Sequence, residues 1–296
     1  MKNILITGAT AGIGRHAALH LARRGHRVFA TGRKQEALAS LAAESQGLPL
    51  ETLRLDVCDP ASIEEARAEV ARRTNGHGVD VLINNAGYGL AAPLAEMRDA
   101  DLRAQFETNV FGVMAVTRAF LPPMMERGVG RVINVSSIGG RVTFPLFGAY
   151  HASKYALEAL SDALRNEVAP FGVRVVLVEP GPVRTNFADT SLASVQPYRT
   201  ATSAYGPVFA LAEQIQRQAD AMAVGPESTS RVLERAVSSR RPPARYVVPF
   251  SSGLVLWAMR LLPTPVLDAL MRRFMGLLPG RLRRGAPAEA EVRLAA

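Results

Sequence analysis

Ser137, Tyr150 and Lys154 have the types and the spacing for proton transfer at an oxygen. The tyrosine follows the serine by thirteen residues and the lysine follows the tyrosine by four. Tyr150 to Phe171 is rich in Ala, Leu, Glu and Arg and holds no Gly or Pro before Pro170, which predicts a helix. Residues four apart share a helix face, so Tyr150 and Lys154 project together. Gly130-Arg131-Val132-Ile133-Asn134-Val135 predicts a buried strand ending at Ser136 and Ser137. A hydroxyl at that strand end then faces a phenol and an ammonium. A free phenol has a pKa of about 10 and is a poor base. A neighbouring ammonium favours the phenolate and lowers that value. Such a phenol exchanges a proton with an alcohol or carbonyl oxygen that Ser137 holds by a hydrogen bond. Tyr-x-x-x-Lys alone also fits an ordinary solvent-facing helix, so the surrounding motifs decide.

The elements that must position this trio alternate. Lys2 to Thr7 predicts a short strand, Gly8-Ala9-Thr10-Ala11-Gly12-Ile13-Gly14 a loop, and the Ala/Leu-rich run to Arg24 a helix closed by Gly25. Arg27 to Thr31 is the next strand. Glycines between a strand and a helix let backbone N–H groups approach a pyrophosphate. Further strands are expected at Leu53–Val57, Val79–Ile83, Arg174–Val178 and Arg245–Val248, with helices between them. That order predicts an α/β fold, a doubly wound parallel sheet with helices on both faces. Ligands of such sheets bind beyond the carboxyl ends of the strands, where every motif named here falls.

The second strand ends in Thr31-Gly32-Arg33-Lys34, with no acid before Glu36. An acid there would take ribose hydroxyls; an arginine takes a 2′-phosphate. Arg33 therefore favours NADP(H) over NAD(H), although Arg33 and Lys34 also suit the start of a helix. Asp56 meets the adenine or caps the next helix. Asn84-Asn85-Ala86-Gly87 ends the fourth strand with small and amide residues. A long helix from Asp101 to Met125 is interrupted near Asn109 and Gly112, both poor helix formers. The interruption either exposes a carbonyl to water or is merely tolerated.

Composition bounds the rest. The chain has 296 residues, 48% of them hydrophobic and 21% charged, which suits a soluble enzyme. Cys58 is the one cysteine, so no internal disulfide forms, and no Cys/His metal spacing appears. The N-terminus enters a strand directly, without a secretory run, so a cytoplasmic location is expected. Of the formal charge of +9, the segment from Arg231 to Ala296 supplies +8, through twelve Arg against four acids. The charge is thus poor evidence for nucleic acid, which is not expected as a partner, and points instead to anionic lipid, an acidic partner or solubility.

Together these motifs resemble the short-chain dehydrogenase/reductase superfamily, in its single-domain branch. They are Thr7 to Gly14, Asn84-Asn85-Ala86-Gly87, Asn109, Ser137, Tyr150-His151-Ala152-Ser153-Lys154 and Pro180-Gly181. The resemblance covers roughly Met1 to Thr185; a finer likeness to hydroxysteroid and retinol dehydrogenases is less specific. It implies a Rossmann-type domain over 1–249, with a substrate lid at about 186–224. It implies Tyr150 as general acid/base, Lys154 as its partner and ribose ligand, Ser137 as holder of the substrate oxygen, and Asn109 as organiser of a proton-relay water. Cofactor contacts are implied for Thr7, Gly8, Thr10, Gly12, Ile13 and Gly14, then for Arg33, Asp56, Val57, Asn85, Ala86 and Gly87. Pro180, Gly181, Val183 and Thr185 would lie along the nicotinamide. A homodimer or homotetramer through the long helices is expected on the same ground.

After Thr185 the pattern weakens. Phe144, Phe147, Phe187, Tyr205 and Phe209 either line an apolar cleft or pack the lid onto the body. No charged residue stands out as a substrate partner, so a hydrophobic alcohol and its ketone or aldehyde are expected. Residues 250–296 read as a C-terminal helical extension and basic tail, with Phe250 to Leu262 and Val266 to Leu278 apolar. They pack over the cleft, form a dimer contact, or meet an anionic membrane through 250–284; neither run is long enough to span one. The alternative to an enzyme is a non-catalytic NADP-binding sensor or scaffold, which has no need of Tyr150 with Lys154. An epimerase or dehydratase is more distant, because its usual glycine spacing is lacking.

Overall fold

The computed structural model describes residues 1–209, 211, 214, 223–278 and 282. Seven strands form one sheet: β1 (Asn3–Ile6), β2 (Arg27–Gly32), β3 (Leu50–Arg54), β4 (Val81–Asn84), β5 (Gly130–Val135), β6 (Val173–Pro180) and β7 (Arg245–Val248). Their order is β3-β2-β1-β4-β5-β6-β7, every pairing is parallel, and the order reverses beside β1. The expected fold class is therefore the observed one. Central strands are apolar almost continuously because both sheet faces are covered. Ile4 and Ile6 point into a core shared with α1 (Gly12–Arg23) and α2 (Gln35–Glu44). Leu5 points the other way, into a core shared with α3 (Pro60–Arg73).

The third strand corrects the sequence expectation. Leu53, Leu55 and Val57 alternate as a strand does, and all three are buried in the second core. The strand paired with β2 nevertheless runs from Leu50 to Arg54; Leu55 still donates its N–H to the Gly32 carbonyl at 3.0 Å, and the chain turns at Val57 and Cys58. Asp56 then accepts from the Cys58 N–H, and it is Asp59 that caps α3, accepting from the Ala61 N–H at 3.0 Å.

The long helix comes in pieces: α4 (Asp99–Phe106), a π-helical stretch Glu107–Gly112, α5 (Val113–Phe120) and α6 (Pro122–Glu126). Gly112 explains part of this. A Cβ there would stand 2.8 Å from the Val57 carbonyl oxygen, so only glycine lets the helix approach so closely. Next come α7 (Gly148–Val168), α8 (Phe187–Ala193) and α9 (Pro226–Ser238), whose Leu233, Ala236 and Val237 join the first core. The chain then forms α10 (Phe250–Arg260) and α11 (Thr264–Phe274). Of the expected lid, residues 210, 212, 213 and 215–222 lie outside the described residues. So does most of the expected basic tail.

The C-terminal extension departs from simple packing on the body. α11 buries no residue; Met275, just after it, packs with Leu146 and Val208 beside Phe147. Among the described residues of the extension, Phe274 and Met275 line the cleft. Tyr205 and Phe209 join Leu90, Ala92, Val195 and Tyr198 in a separate cluster, so these two aromatics pack the lid and do not line the cleft.

Candidate active site

A cleft of about 1250 Å³ runs along the carboxyl ends of the strands. One half is walled by Gly8, Thr10, Gly12, Ile13, Arg33, Asp56 and Val57, the middle by Asn85, Ala86 and Gly87. The other half holds Ser137, Phe144, Phe147, Tyr150, Lys154, Pro180, Gly181, Val183, Thr185 and Phe187. Three expected residues stand behind that wall instead of in it. Thr7 accepts from the N–H groups of Asn85 and Ala86 through Oγ1, both at 3.0 Å, and so ties β1 to the turn after β4. At Gly14 a Cβ would fall 2.4 Å from both the Asn85 Nδ2 and the Gly8 oxygen. Asn109 is 1% exposed.

Asn109 acts as a clamp. Its Nδ2 donates to the Tyr88 carbonyl at 2.9 Å and to the Ser153 Oγ at 3.0 Å, and its Oδ1 accepts from the Tyr88 N–H at 3.1 Å. One amide thus fixes the loop after β4 against α7. Sequence reasoning missed the buried polar ladder beneath it. Asn84 Nδ2 donates to Thr117 Oγ1 and Asn134 Oδ1, both at 2.9 Å, and Asn134 Nδ2 donates to Ser161 Oγ at 2.8 Å. Polar residues at one register across β4 and β5, Asn84 opposite Asn134, were the available signal.

On α7, Tyr150 and Lys154 share a face as the four-residue spacing requires. The ammonium lies 5.9 Å from the tyrosine ring centre, and its Nζ donates to the Val135 carbonyl at 2.9 Å. Ser137 accepts from the Gly139 N–H at 3.0 Å, which aims its hydroxyl. The sequence expectation for the phenol has the wrong sign here. Burial pushes Tyr150 up to about 12, against a smaller downward pull from the Ser137 hydroxyl. Burial also brings Lys154 down to about 8, opposed by the charge of Glu158. His151, packed against Phe144 and Tyr150, is held neutral by burial at about 4, with Nδ1 2.9 Å from the Gly139 oxygen.

A buried carboxylate group lies under the same helix. Glu179, wholly buried at the end of β6, is pushed up to about 7, by burial first and then by Glu158. Arg245 of β7 reaches all three acids, donating to Glu158 at 3.0 Å and Asp162 at 2.6 Å and lying 3.2 Å from Glu179.

The first half of the cleft fits a dinucleotide. Gly8 and Gly12 have φ of +63° and +52°, and a Cβ on Gly8 would fall 2.8 Å from the Ala86 Cα. Ala11 opens α1 without a side-chain cap, and the first turn carries no acid. A bare helix N-terminus of this kind accepts a pyrophosphate. Sharing its cleft with a buried phenol and ammonium, it belongs to an oxidoreductase that draws on a nicotinamide dinucleotide.

Comparison with known proteins says which kind. The chain belongs to the short-chain dehydrogenase family, whose model matches residues 2–195. It is 36% identical over 273 residues to the uncharacterized oxidoreductase YbbO of Escherichia coli K12, covering 92% of this chain and 94% of that one. It is 36% identical over 302 residues to human 17-beta-hydroxysteroid dehydrogenase type 1, covering 95% of this chain and 88% of the relative. Among solved structures, a substituted actinorhodin polyketide ketoreductase with NADPH superposes with a TM-score of 0.70 at 30% identity, covering 83% of this chain and 95% of that one.

Proposed function

We propose that the protein is an NADP(H)-dependent oxidoreductase that interconverts a hydrophobic alcohol and its ketone or aldehyde. The observation that carries this is a single cleft with a bare helix N-terminus at one end and a protonated, buried phenol among apolar side chains at the other. Phe187 stacks obliquely on Tyr150 with centres 5.4 Å apart, and Phe144, Phe147 and Leu192 extend the apolar wall. Among the described residues, Lys154 is the charged side chain on that half of the wall. The hydroxysteroid and polyketide chemistry named in the two relatives supports the same substrate class.

The cofactor preference rests on Arg33. It stands on the cleft wall, 70% exposed, with its guanidinium 4.0 Å from Asp56. Gly32 holds no acid for a physical reason: a Cβ there would come 2.5 Å from the Thr10 Cγ2. The loop N–H groups, Asn85 and Arg33 would hold the dinucleotide, and Lys154 its ribose. When bound, the nicotinamide supplies or takes the hydride.

The chain's own residues handle the proton. Ser137 Oγ holds the substrate oxygen beside the Tyr150 hydroxyl. Tyr150 donates its proton to that oxygen in reduction and takes it back in oxidation. Lys154, anchored at Val135, stabilises the phenolate that remains. Asn109 holds the loop and α7 in register for that exchange. Phe111 and Tyr155 stand exposed on the π-helical stretch and on α7, which supports assembly through those helices.

The test is oxidation of NADPH, and separately NADH, with a panel of hydrophobic ketones and aldehydes. Turnover with NADPH that disappears in Tyr150→Phe is expected. Full activity in that variant removes the mechanism, and a preference for NADH removes the assignment of Arg33.

A further inference from the structure

The two C-terminal helices leave much of their apolar surface facing outward. In α10 the buried side chain is Ser252; a Cβ on Gly181 would come 2.4 Å from its Oγ. Phe250, Leu254, Val255 and Trp257 are 80, 56, 55 and 66% exposed. Leu256 and Met259 are half-buried on the side of Ser252, so α10 is apolar on both sides and leaves its outer apolar side in solvent. On α11, which buries nothing, Val266 and Leu270 continue the exposed apolar set. Contiguous patches of this kind mark interaction sites.

Charge identifies the partner. Phe250 to Met259 carries no charge, and the two helices then offer Arg260, Arg272 and Arg273 against the single acid Asp268, all exposed. A two-fold contact with a second copy would bring three arginines from each side together with one acid apiece. An anionic bilayer satisfies both features, taking the apolar residues below its headgroups and the arginines among them. Among the described residues no helix is long and apolar enough to cross a membrane, so the helices lie on its surface.

We propose that α10 and α11 form a docking face for anionic lipid, with Trp257 seated at the interface. The end of α11 is also cleft wall, through Phe274 and Met275. Docking therefore sets the cleft mouth beside the acyl layer, from which an apolar substrate enters. That entry rests on the substrate class proposed above; the docking does not.

Trp257 is the chain's one tryptophan, so its emission reports on this face alone. The full chain is titrated with vesicles of mixed phosphatidylglycerol and phosphatidylcholine, and with phosphatidylcholine alone. Docking predicts a blue shift and co-flotation with the anionic vesicles, both reduced at high salt. Leu254→Glu with Leu261→Glu abolishes flotation and leaves thermal stability and NADPH binding unchanged. Arg272→Ala and Arg273→Ala each weaken partitioning about fivefold. Unchanged emission with no flotation overturns the proposal. So does a blue shift that grows with protein concentration in the absence of lipid, which assigns the face to a second copy. Flotation needs no turnover: a protein that floats but reduces no ketone keeps its docking face and loses the substrate reading.

Discussion

Burial drives Tyr150 and Lys154 the same way, toward their neutral forms. A phenol near 12 is fully protonated at ordinary pH, so Tyr150 is a donor matched to carbonyl reduction. Lys154, near 8, keeps its charge at pH 7 and loses it above. Reduction should therefore slow as pH rises through about 8, which a kcat/KM profile with saturating NADPH would reveal. The same shift has a stability sign. A lysine whose folded pKa lies below its unfolded one contributes stability above the unfolded value, lost as pH falls through the folded one. At pH 7 the charged Lys154 costs roughly 3 kcal/mol, less its bond to Val135. Lys154→Met should thus raise Tm at pH 7, by less as pH approaches 10, while turnover falls about 100-fold or more. The spacing of Ser137, Tyr150 and Lys154 made this site legible. The sign of the tyrosine shift was not, because burial depends on packing that spacing does not encode. Likewise no motif says that Thr7 and Gly14 lie behind the loop. The contact between Gly32 and Thr10 gives a specificity prediction: Gly32→Asp alone should weaken both cofactors, whereas Gly32→Asp with Thr10→Ala should turn preference toward NADH, read as the ratio of the two KM values.

Among the elements, the π-helical stretch is where local sequence and site geometry meet. The misfit of Asn109 and Gly112 in a helix could be read from propensity alone. What each does could not, since their partners, Tyr88 and Val57, lie on other segments. Asn109→Ala would take the acceptor from the Tyr88 N–H, at about 1–3 kcal/mol, whereas the Tyr88 carbonyl keeps the Gln105 Nε2 donor at 2.7 Å. A lower Tm with turnover reduced more than NADPH binding is expected, measured by thermal denaturation and cofactor titration. Asn109→Asp keeps the acceptor for the Tyr88 N–H and should recover part of the stability. The third strand shows the opposite limit. Its alternation was real, but Leu55 and Val57 obey it beyond the end of the strand, because burial sets the pattern.

On the scale of the molecule, the sheet and its cleft were legible because parallel strands buried on both faces leave long apolar runs. The boundary of the extension was visible too, but not which side α10 would bury, since its composition is apolar nearly throughout. Residues 1–249 carry all seven strands, and we take them as the binding and catalytic unit. A chain ending at Pro249 should bind NADPH normally. Without Phe274 and Met275 its KM for hydrophobic ketones should rise about tenfold, the worth of one apolar contact. Steady-state kinetics on the shortened chain would decide.

Arg245 also sets a schedule for synthesis. It is the cation that reaches Glu158, Asp162 and Glu179 together, and it is translated long after them. At about 5–20 residues per second, the ribosome leaves β6 waiting several seconds for β7. In that interval the Val-rich β6 is an open sheet edge, with three carboxylates beside it that Arg245 has yet to reach, Glu179 held by Arg141 and Asp162 by Arg165. Buried charge beside an unpaired strand disfavours adding a stranger's strand, as charges on natural sheet edges do. The seventh strand then both completes the pairing of the acids through Arg245 and closes the edge.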